Sequence, residues 1–220
     1  MGKDTMDMTN ENTCIDRHRE ETPRKRGWSG YDQVARGPNR PMYDYYAEKI
    51  REKTGIVRGA CLDVGANGGY LGLALARITG LSFTFLDISA EALETAGKNI
   101  MEDGLESRAS TLHGDVHHIP LPDASFQLVI SRGSIPFWED LTAGLREIYR
   151  VLAPGGEACV VCGRGTPEMQ AAMAARRGGR EGCGPQDRPK RDYASILKET
   201  GIGRASYSRG DDGMWIWLWK

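Results

Sequence analysis

The chain has 220 residues, enough for one sizeable α/β domain and too few for two comfortable ones. A formal charge of −1 gives it no strong field for nucleic acid or anionic membrane surfaces. No apolar run approaches the roughly 18 residues that a membrane span needs, and the charged amino terminus reads without a secretory core segment. The five cysteines, Cys14, Cys61, Cys159, Cys162 and Cys183, are odd in number. Two of them sit in strand-like runs, which points to reduced thiols in a cytoplasmic protein.

Residues 1–28 carry dense mixed charge ("KDTMDMTNENTCIDRHREETPRKR") with almost no hydrophobic periodicity, and read as a mobile tail. Residues 29–58 read as a helical cap segment. Within it "RPMYDYYAEKIREKTG" has Pro41 suited to a first helical turn and Gly55 suited to a left-handed end. From Gly59 to the end of the chain, strand-like and helical stretches alternate, which implies one doubly wound α/β domain. The strand-like runs are "ACLDV", "SFTFLD", "STLHGD", "FQLVIS" and "EACVVCG", and the helical ones "GLALARIT", "SAEALETAGKNIMEDG" and "LTAGLREIYRVL". Ser89 and the early glutamates mark the start of the second helix. Pro154 and the glycines of "APGG" are expected to stop the third.

An irregular, arginine-rich insertion with one short helix is expected at about residues 164–191, followed by the helix "YASILKETG". The runs "RASYSRG" and "MWIWLWK", joined by "DDG", then predict a terminal antiparallel hairpin. In "CVVC" the two thiols lie three apart in a strand and point to opposite faces, so no metal or redox site is read there. A soft-metal pair of Cys14 with Cys183 is the remaining, weaker metal idea.

"CLDVGANGGYLGLALA" runs from a strand through a glycine turn into a helix, a geometry that presents backbone N–H groups and a helix dipole to an anionic or nucleotide-like ligand. Asn67 stands where the dinucleotide fingerprint needs glycine, which disfavours a nicotinamide dehydrogenase. Asp63, Asp87 and Asp115 fall at or just beyond three successive strand ends, the rim of the ligand crevice in an open parallel sheet. Asp87, about twenty residues past the glycine loop, suits both hydroxyls of a ribose.

Together "LDVGANGG", "FLDIS", "GDVHHIPLPDASFQLVIS" and "LREIYRVLAPGG" resemble the ordered motifs of class I S-adenosylmethionine-dependent methyltransferases, a likeness covering about Gly59 to Gly163. The resemblance implies a Rossmann-like, mostly parallel seven-stranded sheet ending in an antiparallel hairpin. It implies S-adenosyl-L-methionine as donor, leaving as S-adenosyl-L-homocysteine. It assigns Asp63, Gly65, Ala66, Asn67 and Gly69 to the loop at the methionine end, Asp87 to the ribose and Ile88 to the adenine face. Asp115 would accept from the adenine amino group with Val116 beside the ring, and Ser131 would sit near the transferred methyl. Asn67 departs from the family's glycine, but asparagine tolerates a left-handed backbone.

The acceptor leaves a fainter trace. The stretch "SRGSIPFWED" resembles the substrate-side loop of small-molecule methyltransferases and lacks the Asn/Asp-Pro-Pro-aromatic motif of the amino-methylating members. Arg132 is a candidate clamp for an acidic substrate, or a partner for Glu139 or Asp140. Trp138 offers a ring face. Tyr31, Tyr43 and Tyr46 are candidates to meet the sulfonium or substrate, with at least two expected in the core. His117, or its neighbour His118, is a candidate general base.

Tyr31, His117 and Arg132 thus form the catalytic shortlist. The expected partner is a small-molecule acceptor, with neither nucleic acid nor membrane, and oligomeric state is left open. The alternatives are methylation of a protein or RNA docked on the basic insertion, and a cofactor-binding protein without chemistry.

Overall fold

In the computed structural model, which describes residues 28–176 and 191–220, seven strands form a single sheet. They are β1 (Arg58–Val64), β2 (Gly80–Asp87), β3 (Ala109–His113), β4 (Phe126–Arg132), β5 (Leu152–Cys162), β6 (Ala205–Gly210) and β7 (Gly213–Trp219). Their spatial order is β3-β2-β1-β4-β5-β7-β6. Strands β1 to β5 are mutually parallel, while β7 runs antiparallel to both β5 and β6. This is the doubly wound, mostly parallel α/β sheet with a terminal hairpin that the alternating sequence pattern implies. The order reverses between β1 and β4, which opens a crevice at their carboxyl ends.

The period of two along the strands divides the core between two faces. Cys61, Phe83, Phe85, Leu128, Ile130, Cys159 and Trp215 pack on one side, beneath α2 (Arg40–Thr54) and α3 (Tyr70–Ala76). Leu62, Val64, Val129, Val160 and Ile216 pack on the other, beneath α5 (Leu141–Val151) and α7 (Tyr193–Thr200). Cys159 and Cys162 fall on opposite faces, as their spacing requires. Gly72 allows α3 to lie flat on the sheet, since a Cβ there would come within 2.3 Å of the Phe85 ring.

Local signals hold at most ends. Pro41 stands in the first turn of α2 and Gly55 ends that helix at φ 65°. Ser89 caps α4 (Ala90–Glu102) by accepting from the Ala92 N–H, and Asp140 caps α5 through the Ala143 N–H. Two details differ from the sequence reading. Helix α3 starts at Tyr70, directly after Gly69, because Tyr70 itself is buried. Helix α5 stops at Val151, before "APGG", because the fully buried Leu152 already pairs with Phe126 in the sheet. "APGG" then lies inside β5, where the register shifts between Phe126 and Leu128.

The "DDG" hairpin also anchors the amino-terminal helices. Asp212 accepts hydrogen bonds from the Tyr45 hydroxyl at 2.9 Å and from Lys49 Nζ at 2.6 Å, while its carbonyl accepts from the Tyr46 hydroxyl at 2.5 Å. Helix α1 (Trp28–Arg36) is fastened to α4 by Arg36, which donates to Asn99 Oδ1 at 2.6 Å and to Asp103 at 2.8 Å. Helix α6 (Pro167–Arg176) supplies the short helix expected within the insertion. Residues 1–27, Cys14, Cys183 and residues 177–190 of the insertion lie outside the described residues. Among the described residues no helix is long and apolar enough to cross a membrane.

Candidate active site at the strand ends

A cavity of about 600 Å³ opens at the carboxyl ends of β1, β2 and β4, within the size range of small-molecule sites. Its inner wall is the loop after β1. Gly65 adopts φ 65°, and a Cβ there would lie 2.5 Å from Ser134 Cβ, so only glycine lets the loop and the post-β4 segment meet. Asn67 adopts φ 54° with its Oδ1 accepting from the Gly68 N–H at 2.7 Å. Asparagine thus supplies the left-handed turn that glycine would otherwise be needed for. The Ala66 N–H donates to the Leu86 carbonyl at 3.0 Å, which ties the loop to β2.

Asp63 is 2% exposed and accepts the Gly72 N–H at 3.0 Å through Oδ2. Burial pushes its carboxyl up to about 7; the Gly72 hydrogen bond pulls downward and the charge of Asp87 adds to the rise. Asp87 accepts the Asn67 N–H at 2.8 Å on one oxygen and the Ser89 N–H at 2.9 Å on the other. Each oxygen keeps acceptor capacity beyond these bonds. Ile88, next along, stands 65% exposed at the cavity edge, an apolar side chain offered to a flat partner.

Asp115 and Val116 line the far end. Asp115 Oδ1 accepts both the His117 backbone N–H at 2.9 Å and His117 Nδ1 at 2.7 Å. These bonds, the backbone one foremost, hold the carboxyl below the usual aspartate range against the effect of burial. His117 Nε2 in turn accepts the Asp140 N–H at 3.2 Å, so the proton resides on Nδ1. Both ring nitrogens are engaged by the protein. His117, itself on the cavity wall, thus braces Asp115 against the start of α5.

The structure separates the remaining candidates. Ser131 is fully buried and off the cavity wall; its hydroxyl donates to the Val64 carbonyl at 2.6 Å and lies 2.5 Å from the Ser134 hydroxyl, which does reach the cavity. Gly69 also stays off the wall, at φ 79° beneath α3. Tyr43 and Tyr46 are both core residues, two of the three as expected, with Tyr43 also reaching the cavity wall, while Tyr31 is 41% exposed on the cavity. The Tyr31 and Tyr43 hydroxyls stand 3.3 Å apart. Arg132 lines the cavity, and among the described residues it pairs with neither Glu139 nor Asp140. Trp138, 5% exposed, forms part of the wall, with Phe137 72% exposed beside it.

Sequence reading missed Asn99. Its Nδ2 donates to the Gly68 carbonyl at 2.9 Å and to Asp32 Oδ1 at 2.8 Å, while Tyr70 donates to the same Asp32 oxygen at 3.0 Å. One buried amide thus joins the glycine loop to helix α1. The available signal was an asparagine on the apolar stripe of α4, beside Ala92, Ala96 and Ile100.

With this geometry in hand, comparison with known proteins is informative. Residues 62–160 match the model of a methyltransferase domain. A crystal structure from Methanococcus maripaludis, assigned there as an S-adenosyl-L-methionine-dependent methyltransferase, superposes with TM-score 0.79 at 33% identity over 92% of this chain and 97% of that one. A rice 2-methyl-6-phytyl-1,4-hydroquinone methyltransferase is 35% identical over 101 residues, which are 46% of this chain and 29% of that protein. The demethylmenaquinone methyltransferase of Chlorobaculum tepidum is 34% identical over 100 residues, 46% of this chain and 39% of that one. The chain thus spans roughly a third of the length of these two curated relatives.

Proposed function

Because the chain belongs to the S-adenosylmethionine-dependent methyltransferases, we propose that its cavity holds S-adenosyl-L-methionine and delivers the methyl group to a small-molecule acceptor. The observation that carries this reading is the convergence of Asp63, Asp87 and Asp115 with the Gly65–Asn67 loop on one cavity. The residues present fit the donor. Gly65 leaves a cradle that a Cβ would fill, Asp87 has acceptor capacity for two ribose hydroxyls, and Ile88 and Val116 offer apolar contact to the adenine. When bound, the donor supplies a methyl carbon already activated by a sulfonium.

The chain's own work is therefore positional. The loop N–H groups and Asp63 orient the methionine end, and Asp87 fixes the ribose. Asp115, held by His117, orients the adenine edge. Helices α1 and α2 serve as a cap that carries Tyr31 and Tyr43 over the acceptor side and excludes water. In the transfer a bond forms from the acceptor atom to the methyl carbon as the carbon–sulfur bond breaks, its electron pair remaining on sulfur.

A small acceptor is supported by the cavity's volume, about 600 Å³, and by relatives named for hydroquinone and demethylmenaquinone methylation. Incubating the protein with methyl-labelled donor and a size-fractionated cell extract tests this. Label is expected in a low-mass fraction; label confined to protein or RNA overturns the small-molecule reading.

A further inference from the structure

Four carboxylates border the cavity, namely Asp63, Asp87, Asp115 and Glu139, and one guanidinium, Arg132. Arg132 extends from the end of β4 between α2 and the start of the post-β5 segment. Its Nη2 donates to the Gly163 carbonyl at 2.7 Å and to Met42 Sδ at 2.8 Å, both neutral acceptors. Its guanidinium carbon lies 5.1 Å from the centre of the Tyr43 ring. Its Nε is buried without any hydrogen-bond partner, the one such side-chain atom among the described residues.

A partly buried guanidinium that pairs with no carboxylate among the described residues and keeps an unused donor is an uncompensated charge, which proteins seldom keep without a ligand to match it. The cavity that Arg132 lines also carries four aromatic side chains, Tyr31, Tyr43, Phe137 and Trp138, of which Tyr43 lies against the guanidinium. The donor half of the cavity, by contrast, is already matched by its own acids to a ligand bearing a sulfonium and an ammonium.

We propose that Arg132 is a specificity residue for the acceptor, and that the acceptor is a planar, largely apolar molecule presenting an anionic oxygen, a carboxylate or a phenolate, to this guanidinium. The proposal rests on the methyltransferase reading of the same cavity. Charge-assisted bonds to a planar guanidinium favour a carboxylate-like oxygen over a neutral amide, and the aromatic walls favour a ring beside it.

The test uses the full chain saturated with S-adenosylhomocysteine, titrated calorimetrically with benzoate, with 4-nitrophenolate above its pKa, and with neutral benzamide. Benzoate or 4-nitrophenolate is expected to bind at least about tenfold more tightly than benzamide. A response to benzoate alone identifies a carboxylate, and to the phenolate alone a phenolic oxygen. Arg132→Met should erase the preference for the anion and Arg132→Lys should retain part of it, both still binding S-adenosylhomocysteine.

Neither anion binding more tightly than benzamide, or a preference that survives in Arg132→Met, overturns the proposal. So does a loss of S-adenosylhomocysteine affinity in Arg132→Met and Arg132→Lys alike, which assigns the guanidinium to the donor. Failure of the wild-type protein to bind S-adenosylhomocysteine at all instead removes the methyltransferase reading beneath it.

Discussion

The two halves of the cavity are built from different materials. At the donor end, the polar contacts run through main chain: Asp63 holds the Gly72 N–H, Asp87 holds the Asn67 and Ser89 N–H groups, and Asp115 holds that of His117. At the proposed acceptor end side chains from α1, α2, β4 and the turn after it meet one another, such as Tyr31 against Tyr43 and Arg132 across the Tyr43 ring, with one main-chain anchor at the Gly163 carbonyl. A backbone-built half tolerates few residue types at each position. A side-chain-built half changes its ligand by substitution without disturbing the sheet, so the donor is common to many proteins and the acceptor particular to each.

The sharpest way to break this contrast is at Gly65. In Gly65→Ala the added Cβ meets Ser134 at 2.5 Å on a left-handed backbone. S-adenosylhomocysteine affinity should fall by about 100-fold, counting strain and displacement together at ~3 kcal/mol. Adding Ser134→Gly should restore part of it in the same titration, because the clash but not the strain is then removed.

Asp63 gives a pH signature. Its folded-state carboxyl, at about 7, lies above the ordinary 3.8, so between these values the folded protein keeps a proton that the unfolded chain has lost. The stability this contributes is fully present below pH 3.8 and is lost as pH rises through 7. Asp63→Asn should flatten that part of the melting-temperature profile of the ligand-free protein, measured from pH 4 to 8. An unchanged slope would remove Asp63 as its source.

Smaller effects are expected elsewhere. His117→Asn should weaken S-adenosylhomocysteine binding by no more than about tenfold, the worth of a surface-side brace to Asp115. The pH dependence of methyl transfer to the labelled extract fraction should keep its shape in this variant, whereas loss of the acidic limb would restore His117 as the base. Phe137→Ala should shift unfolding by less than about 0.5 kcal/mol, since the ring is 72% exposed. It should still raise the acceptor KM while leaving donor affinity unchanged. An equal effect on donor affinity would erase the distinction between the two halves.

The same contrast explains what could be read in advance. Glycine at 65, asparagine at 67 and aspartates at strand ends are constrained by φ angles and by the crevice position of strand termini, so a short stretch carries the signal. The strands and the hairpin follow from apolar runs and from "DDG", whereas the spatial order of the strands is set by pairings that only the fold shows. The end of α5 was misread because Pro154 is a local signal, while the pairing of Leu152 with Phe126 is a contact across 26 residues. Ser131, inside β4, and Ser134, just beyond it, are three positions apart, and only the fold shows which of them faces the cavity. Asn99 and Asp32 meet across 67 residues, and no spacing rule joins them.

The most direct test of the donor-end account is calorimetric titration of S-adenosylhomocysteine into the wild-type chain and into Asp87→Ala. Asp87 both faces the cavity and holds the Asn67 N–H, so the substitution removes ligand contacts and loosens the loop together. Two charge-assisted hydrogen bonds at about 1.5–3 kcal/mol each predict that affinity falls by at least about 100-fold. Unchanged affinity in Asp87→Ala, or no binding by the wild-type chain, would contradict the account.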